Sequence, residues 1–224
     1  MNVITYTEPV ELTDRELPGS YRKFVATYGF GTYCGIINLH EPDEQVIPLT
    51  FSGLDLWEFD AAFSEEDLEE AVQLAVTSDG DSVCSVPRRG EALFVLPKSS
   101  ETVLSFGELE AVLAYYRQVY RIPEPYYFEP AVGRNTEQFS LTQEGRLLDI
   151  TPIHERFLEA FTPDYVLGTA QPKYVIAKMG GWVGFDLVYR NSITISYQVV
   201  GSHTREHLPY YSYLQHEVKE GGNL

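Results

Sequence analysis

Positive charge is scarce in this chain. Its 224 residues hold 16 Lys and Arg against 33 Asp and Glu, a formal net charge of −17. That balance argues against nucleic-acid and anionic-membrane partners, which need basic groups to face phosphate. It permits a basic partner, and it favours solubility. Cysteine is equally sparse. Cys34 and Cys84 stand far apart, each in a strand-like run, as expected of buried free thiols rather than of a disulfide or a catalytic nucleophile. Long apolar runs are missing too: none approaches the roughly 20 residues needed to span a bilayer. Met1–Leu12 carries Glu8 and Glu11 and has no basic start followed by an apolar run, so a cytoplasmic location is expected. There is no internal repeat and no low-complexity tract.

The acids are unevenly spread. Residues 1–121 carry 21 acids and 8 bases, a net of −13, whereas residues 122–224 carry 12 acids and 8 bases, a net of −4. The densest block runs through Asp55, Glu58, Asp60, Glu65, Glu66, Asp67, Glu69 and Glu70, with no Lys or Arg between them. Ser64 is the expected N-cap of a helix there, with Asp67 placed to complete a capping box. Leu68, Ala71, Val72 and Ala75 are the expected inward face. Acids in a first turn also suit the helix dipole.

The hydrophobic fraction, 44%, is enough for an ordinary buried core. Leu17, Tyr21, Phe24, Val25 and Tyr28 share one helical face, with Pro18 expected in the first turn and Gly29 just past the end. Gly31 then leads into an expected strand, Tyr33–Leu39. Val46–Phe51 is expected to be an extended edge piece, limited by Pro48. Asp79-Gly80 marks a tight turn, followed by strands near Val83–Val86 and Glu91–Pro97. Phe106–Tyr120 is the expected long helix, capped by Ser105 with Glu108 at its third position. Three prolines in Ile122–Pro130 break the pattern, and the domain boundary is placed there, giving units 1–121 and 122–224. The second unit shows a hairpin about Gln143-Glu144-Gly145 and a helix opened by Thr151-Pro152. Strands are expected at Lys173–Lys178, Trp182–Tyr189 and Ile193–Val200, and a helix near Tyr210–Val218. The sum is an α+β chain with a smaller second α+β unit.

Several patterns bear on chemistry. Asp79 and Asp81 suit a turn better than a metal site, because no further ligands stand at fixed spacing. His203 and His207 have helical i, i+4 spacing, but Thr204 rather than Glu follows His203 and Arg205 lies between them, so the His-Glu-x-x-His order of a zinc-protease motif is not met. Gly180-Gly181-Trp182-Val183-Gly184 lacks the Lys-Ser/Thr ending of a phosphate loop and suits a bend or bulge. No Gly-x-Ser-x-Gly or Cys/His pairing points to a hydrolase. Tyrosine is abundant, with 16 in all, dense at Tyr115-Tyr116, Tyr126-Tyr127 and Tyr210-Tyr211-Tyr213. Such residues serve cores and interfaces alike; Tyr126 and Tyr127 are expected to pack the two halves together.

Over residues 10–120 the chain resembles the SMI1/KNR4 (SUKH) family. The resemblance lies in an ordered series: Leu17-Pro18…Tyr21…Phe24…Tyr28-Gly29-Phe30-Gly31, a strand, and a loop with Pro42. Ala75-Val76-Thr77-Ser78-Asp79-Gly80-Asp81 then leads into a strand, followed by another strand and a helix opened by Ser105-Phe106. The acidic 55–70 block departs from the family pattern, and residues 122–224 fall outside it. The resemblance implies a mixed sheet packed against helices and a non-enzymatic role with no cofactor or metal. Many bacterial members are immunity proteins that bind and block a toxin domain, often a nuclease; fungal members act as scaffolds in cell-wall signalling. A cognate basic toxin domain is therefore the expected partner, with a scaffold or regulatory role as the alternative. By its residues alone Glu65–Glu70 suits the solvated face of a helix as well as a surface that fills a basic cleft; with the resemblance, the acidic block Asp55–Glu70 is the expected partner surface.

Overall fold

The computed structural model describes residues 2–3, 7–13, 16–143, 145–169, 171–199 and 206–220. They form an α+β fold divided into two units, one ending at Ala131 and the next beginning at Val132. Asn2 and Val3 belong with the first unit.

The first unit opens with β1 (Asn2–Val3) and α1 (Gly19–Tyr28). Tyr21 and Val25 of α1 are fully buried, and Phe24 and Tyr28 pack beside them on the same core. Pro18 is the residue before the first turn rather than within it, and Gly29 ends the helix with a left-handed φ of +74°. The Tyr21 hydroxyl donates to the His40 carbonyl, fixing the helix to the sheet.

The expected strand Tyr33–Leu39 is instead a hairpin, β2 (Gly31–Tyr33) and β3 (Ile37–Asp43). Cys34 and Gly35 both take positive φ, +49° and +72°, at the centre of a β-turn that the Ile36 N–H closes on the Tyr33 carbonyl at 2.9 Å, a geometry that follows the twist of the flanking strands. Val46–Phe51 is likewise not extended but a short helix, α2 (Val46–Phe51). Pro48 lies in its first turn, where a missing N–H costs nothing. The Asp43 carboxylate accepts from the N–H groups of Gln45 and Val46 at 2.8 and 3.0 Å. Next come α3 (Glu65–Glu69), β4 (Val72–Thr77), β5 (Ser82–Ser85), β6 (Leu93–Leu96) and β7 (Leu104–Phe106). The acidic helix is thus short: the chain is already strand at Val72.

The long helix α4 (Leu109–Val119) starts later than Phe106, which pairs with Leu93 in the sheet. Ser105 does not cap it; the Leu109 N–H donates to Ser20 Oγ of α1 at 3.1 Å. The unit closes with β8 (Tyr127–Pro130). The proline-rich stretch therefore does not separate the units, because its end is a strand of the first sheet. Tyr126 and Tyr127 pack on the first core.

The sheet runs β8-β2-β3-β4-β5-β6-β7 with antiparallel pairing throughout, and the two-residue β1 adds a parallel edge beside β8. Helices α1 and α4 cover one face, while α2, α3 and the loop between them cover the other. The middle strands are buried on both sides, so alternate side chains enter different cores. Val83 and Val95 join the α1–α4 core; Cys84, Phe94 and Leu96 join Ile47, Trp57, Phe63 and Leu68 on the other side.

The second unit contains β9 (Arg134–Ser140), β10 (Thr142–Gln143), β11 (Arg146–Leu147) and α5 (Ile150–Ala160). It continues through β12 (Tyr165–Leu167), β13 (Lys173–Ile176), β14 (Gly181–Phe185), β15 (Ser192–Gln198) and α6 (Leu208–Glu220). Five antiparallel strands run in the order β12-β13-β14-β15-β9, and β10 with β11 forms the expected small hairpin. Phe157, Phe185, Ile193, Ile195 and Leu214 centre the core between this sheet and α5 and α6. The Asp149 carboxylate caps α5 by accepting from the Thr151 N–H at 3.0 Å. Gly181 lies where β14 meets β15 so closely that a Cβ would sit 1.8 Å from the Ser196 carbonyl oxygen. Among the described residues no helix is long and apolar enough to cross a membrane.

Candidate functional site

The acidic block spans α3 and the loop that connects it to α2. Ser64 and Asp67 form the expected capping box: Asp67 N–H donates to Ser64 Oγ, and Ser64 N–H donates to Asp67 Oδ2 at 2.8 Å. Seven of the eight acids, Asp55, Glu58, Asp60, Glu65, Glu66, Glu69 and Glu70, are exposed. Asp67 is not, and it cannot belong to a partner surface: its side chain is fully buried.

Two arginines absent from the local sequence reach Asp67. They follow β5 in a 3₁₀ turn, Pro87–Arg89. Arg88 Nε donates to Asp67 Oδ1 at 2.8 Å, and Arg89 grips both carboxylate oxygens, with Nη2 2.5 Å from Oδ2. Burial alone would push this carboxyl up. The donors on Arg89, Ser64 and Arg88 outweigh it and hold the group well below the usual carboxylate range. Arg88 also lies 3.4 Å from Glu66 and 3.6 Å from Glu70. The block is therefore partly neutralised at Asp67, Glu66 and Glu70. Asp55, Glu58, Asp60, Glu65 and Glu69 are exposed acids outside these pairs.

The same segment carries a feature that the charge pattern hides. Leu49, Leu54 and Leu56 are exposed at 82%, 49% and 42%. Leu56 and its neighbour Trp57 border a cleft of about 680 Å³ that is also lined by Phe51, Leu96, Pro97 and Glu101. Trp57 is fixed there, its indole N–H donating to the Pro97 carbonyl at 2.9 Å. The signal available in the sequence was the alternation Leu54-Asp55-Leu56-Trp57-Glu58, which mixes apolar and acidic residues in a loop.

Asp79 and Asp81 border a smaller hollow of about 180 Å³ with Tyr115, Tyr116 and Tyr120. Both aspartates accept tyrosine hydroxyls, Asp79 from Tyr120 at 2.7 Å and Asp81 from Tyr116 at 2.9 Å. Asp81 also accepts from the Lys98 N–H. These bonds make the pair a brace between the turn and α4. His203 lies outside the described residues. His207 stacks on Tyr197 with ring centroids 3.7 Å apart. Cys34 and Cys84 are both buried and free, and burial pushes the Cys84 thiol far up. Among the described residues no group of three His, Cys, Asp or Glu side chains is placed to hold a metal ion.

No family model, curated protein or solved structure matches the chain.

Proposed function

We propose that this chain is a non-catalytic, cytoplasmic binding protein of the SMI1/KNR4 type, an immunity protein that neutralises a basic toxin domain. The observation that carries the reading is the stretch Leu49–Glu69, where the outward Leu49, Leu54 and Leu56 stand near the exposed acids Asp55, Glu58, Asp60, Glu65 and Glu69. Apolar side chains supply the contact area of an interface, and the surrounding acids select a partner of opposite charge and speed its approach. A nuclease toxin offers such a partner, because its own nucleic-acid cleft must be basic.

A basic toxin domain, such as one encoded beside the gene, is the ligand to test. Its association rate with the purified chain is expected to fall about tenfold or more between low and physiological salt, as electrostatic steering requires. Reversing Asp55, Glu58, Glu65 and Glu69 to lysine is expected to slow association by a similar factor while leaving the fold intact, since none of the four is buried. A tight complex indifferent to both salt and charge reversal would remove the acidic surface from the reading. A gene neighbourhood with no toxin-bearing frame would favour the scaffold role instead.

A further inference from the structure

We infer that the cleft beside Trp57 is the seat of the partner's recognition segment, and that its occupant is a basic peptide stretch carrying an apolar side chain next to Lys or Arg. This rests on the binding-protein reading above and names the subsite it uses.

The walls and the mouth of the cleft ask for different chemistry. Phe51, Leu56, Trp57, Leu96 and Pro97 supply apolar walls around about 680 Å³, room for one or two large side chains. Phe51 and Trp57 meet edge to face, their ring centroids 5.2 Å apart. With 5% of its surface exposed and its N–H committed to Pro97, Trp57 forms a rigid aromatic floor, and Leu56, 42% exposed, is the apolar side chain open to contact beside it. At the mouth, the Glu58 N–H donates to the Glu101 carbonyl at 2.8 Å, and Glu58 bridges to Thr102. That junction gathers Glu58 and Glu101 at one rim, with Asp55 just before Leu56; all three are exposed.

Lys98 is the one base among the lining residues. It lies folded along the turn at Gly80, where a Cβ would meet Lys98 Cδ at 3.1 Å and Nζ at 3.7 Å. Glu101 lines the cleft together with that lysine, and the exposed Asp55 and Glu58 flank the lining residues Leu56 and Trp57, so acids outnumber the one base about the mouth. A cation is attracted there, while an acidic peptide or a nucleic acid is repelled. The serines 99 and 100 in the lining add hydroxyls that can pair with a partner backbone. An apolar side chain in the cleft with its basic neighbour at the rim satisfies both zones at once.

The test uses the full chain with Trp182→Phe, which leaves Trp57 as the sole tryptophan of the two. Synthetic ten-residue peptides with a central Leu-Phe pair are titrated against it, flanked by Lys and Arg, by Ser, or by Glu. The basic peptide is expected to shift Trp57 emission saturably, the serine form to do so about tenfold more weakly or worse, and the acidic form not at all. Glu101→Lys and Leu56→Ser should each weaken the basic peptide about tenfold, while Glu65→Lys with Glu69→Lys changes it less than about threefold. No saturable change with the basic peptide, or a change indifferent to Glu101→Lys and Leu56→Ser, overturns the cleft. If a basic toxin domain still binds in a salt-dependent way in that case, the wider acidic-surface reading stands without the cleft. Preference for the acidic peptide, or for an oligonucleotide run as a control, overturns both.

Discussion

Replacing Asp67 with alanine is expected to lower the unfolding free energy of the first unit by about 3–4 kcal/mol. Three losses combine. The capping box of α3 goes, which alone is worth about 1 kcal/mol. The Ser64 N–H and the donors of two guanidinium groups lose their shared acceptor. Breaking a buried ion pair from one side costs about 3–5 kcal/mol when the surviving charge stays buried. Here the surviving charges can turn to water, since the Arg88 and Arg89 side chains are 36% and 32% exposed, so the lower end applies. Asp67→Asn keeps an acceptor in place and is expected to cost about 2 kcal/mol, the difference between charged and neutral hydrogen bonds. Denaturant titration followed by Trp57 emission in the Trp182→Phe background reports the first unit by itself. The pH dependence separates the charge from the shape. Asp67 has a folded pKa below its unfolded value of about 3.9. Its ionised form therefore stabilises the fold fully above that value, and the contribution is lost as pH falls toward the folded pKa. The gap between the parent chain and Asp67→Asn should be flat from about pH 5 to 8 and narrow below about pH 4. A gap that persists unchanged into acid would mean the carboxylate's charge contributes nothing.

Asp67 also shows where the sequence is readable and where it is not. Its capping box is a contact three residues long, and local pattern rules found it. Its arginines lie 21 and 22 residues further on, and no helical or strand period links such positions. The same division holds elsewhere. The buried face of α1 and its stop at Gly29 follow from spacing alone. The start of α4 does not: Ser105 has the chemistry of a cap, but β6 pairs with Leu104–Phe106 first, and the cap comes from Ser20 on another helix. In α2 the proline suggested an edge strand because its place in the first turn is visible only once Asp43 is seen to cap Gln45 and Val46. At the candidate site the acids were legible as charge, and their exposure follows for all but one. The cleft was not legible, because Leu96, Pro97 and Glu101 reach Trp57 through strand order rather than through sequence distance.

Gly31→Ala is the second substitution with a large expected effect, about 4 kcal/mol against the first unit. In sequence Gly31 looked like a turn residue after α1. In the structure it is the first residue of β2, paired with Pro130 of β8. A Cβ there would lie 2.3 Å from the Glu129 carbonyl oxygen, 2.7 Å from Pro130 Cα and 2.9 Å from Phe128 Cζ. Two of those atoms are backbone, so relief requires β8 to move away from β2. Phe128 moves with it, and that side chain is fully buried against Phe24 and Tyr28. The variant therefore combines overpacking with loss of an aromatic core contact. Gly53→Ala is the matched control. Gly53 has φ of +76° and nothing within 4 Å of the added Cβ, so it should cost only the left-handed backbone penalty of about 1 kcal/mol. Both are measured by the Trp57 denaturation described above. If Gly31→Ala costs no more than Gly53→Ala, the close approach of β8 is not what requires glycine. If it costs several times more, β8 is held in the first sheet by an absent side chain, and the proline-rich stretch belongs to that unit energetically as well as topologically.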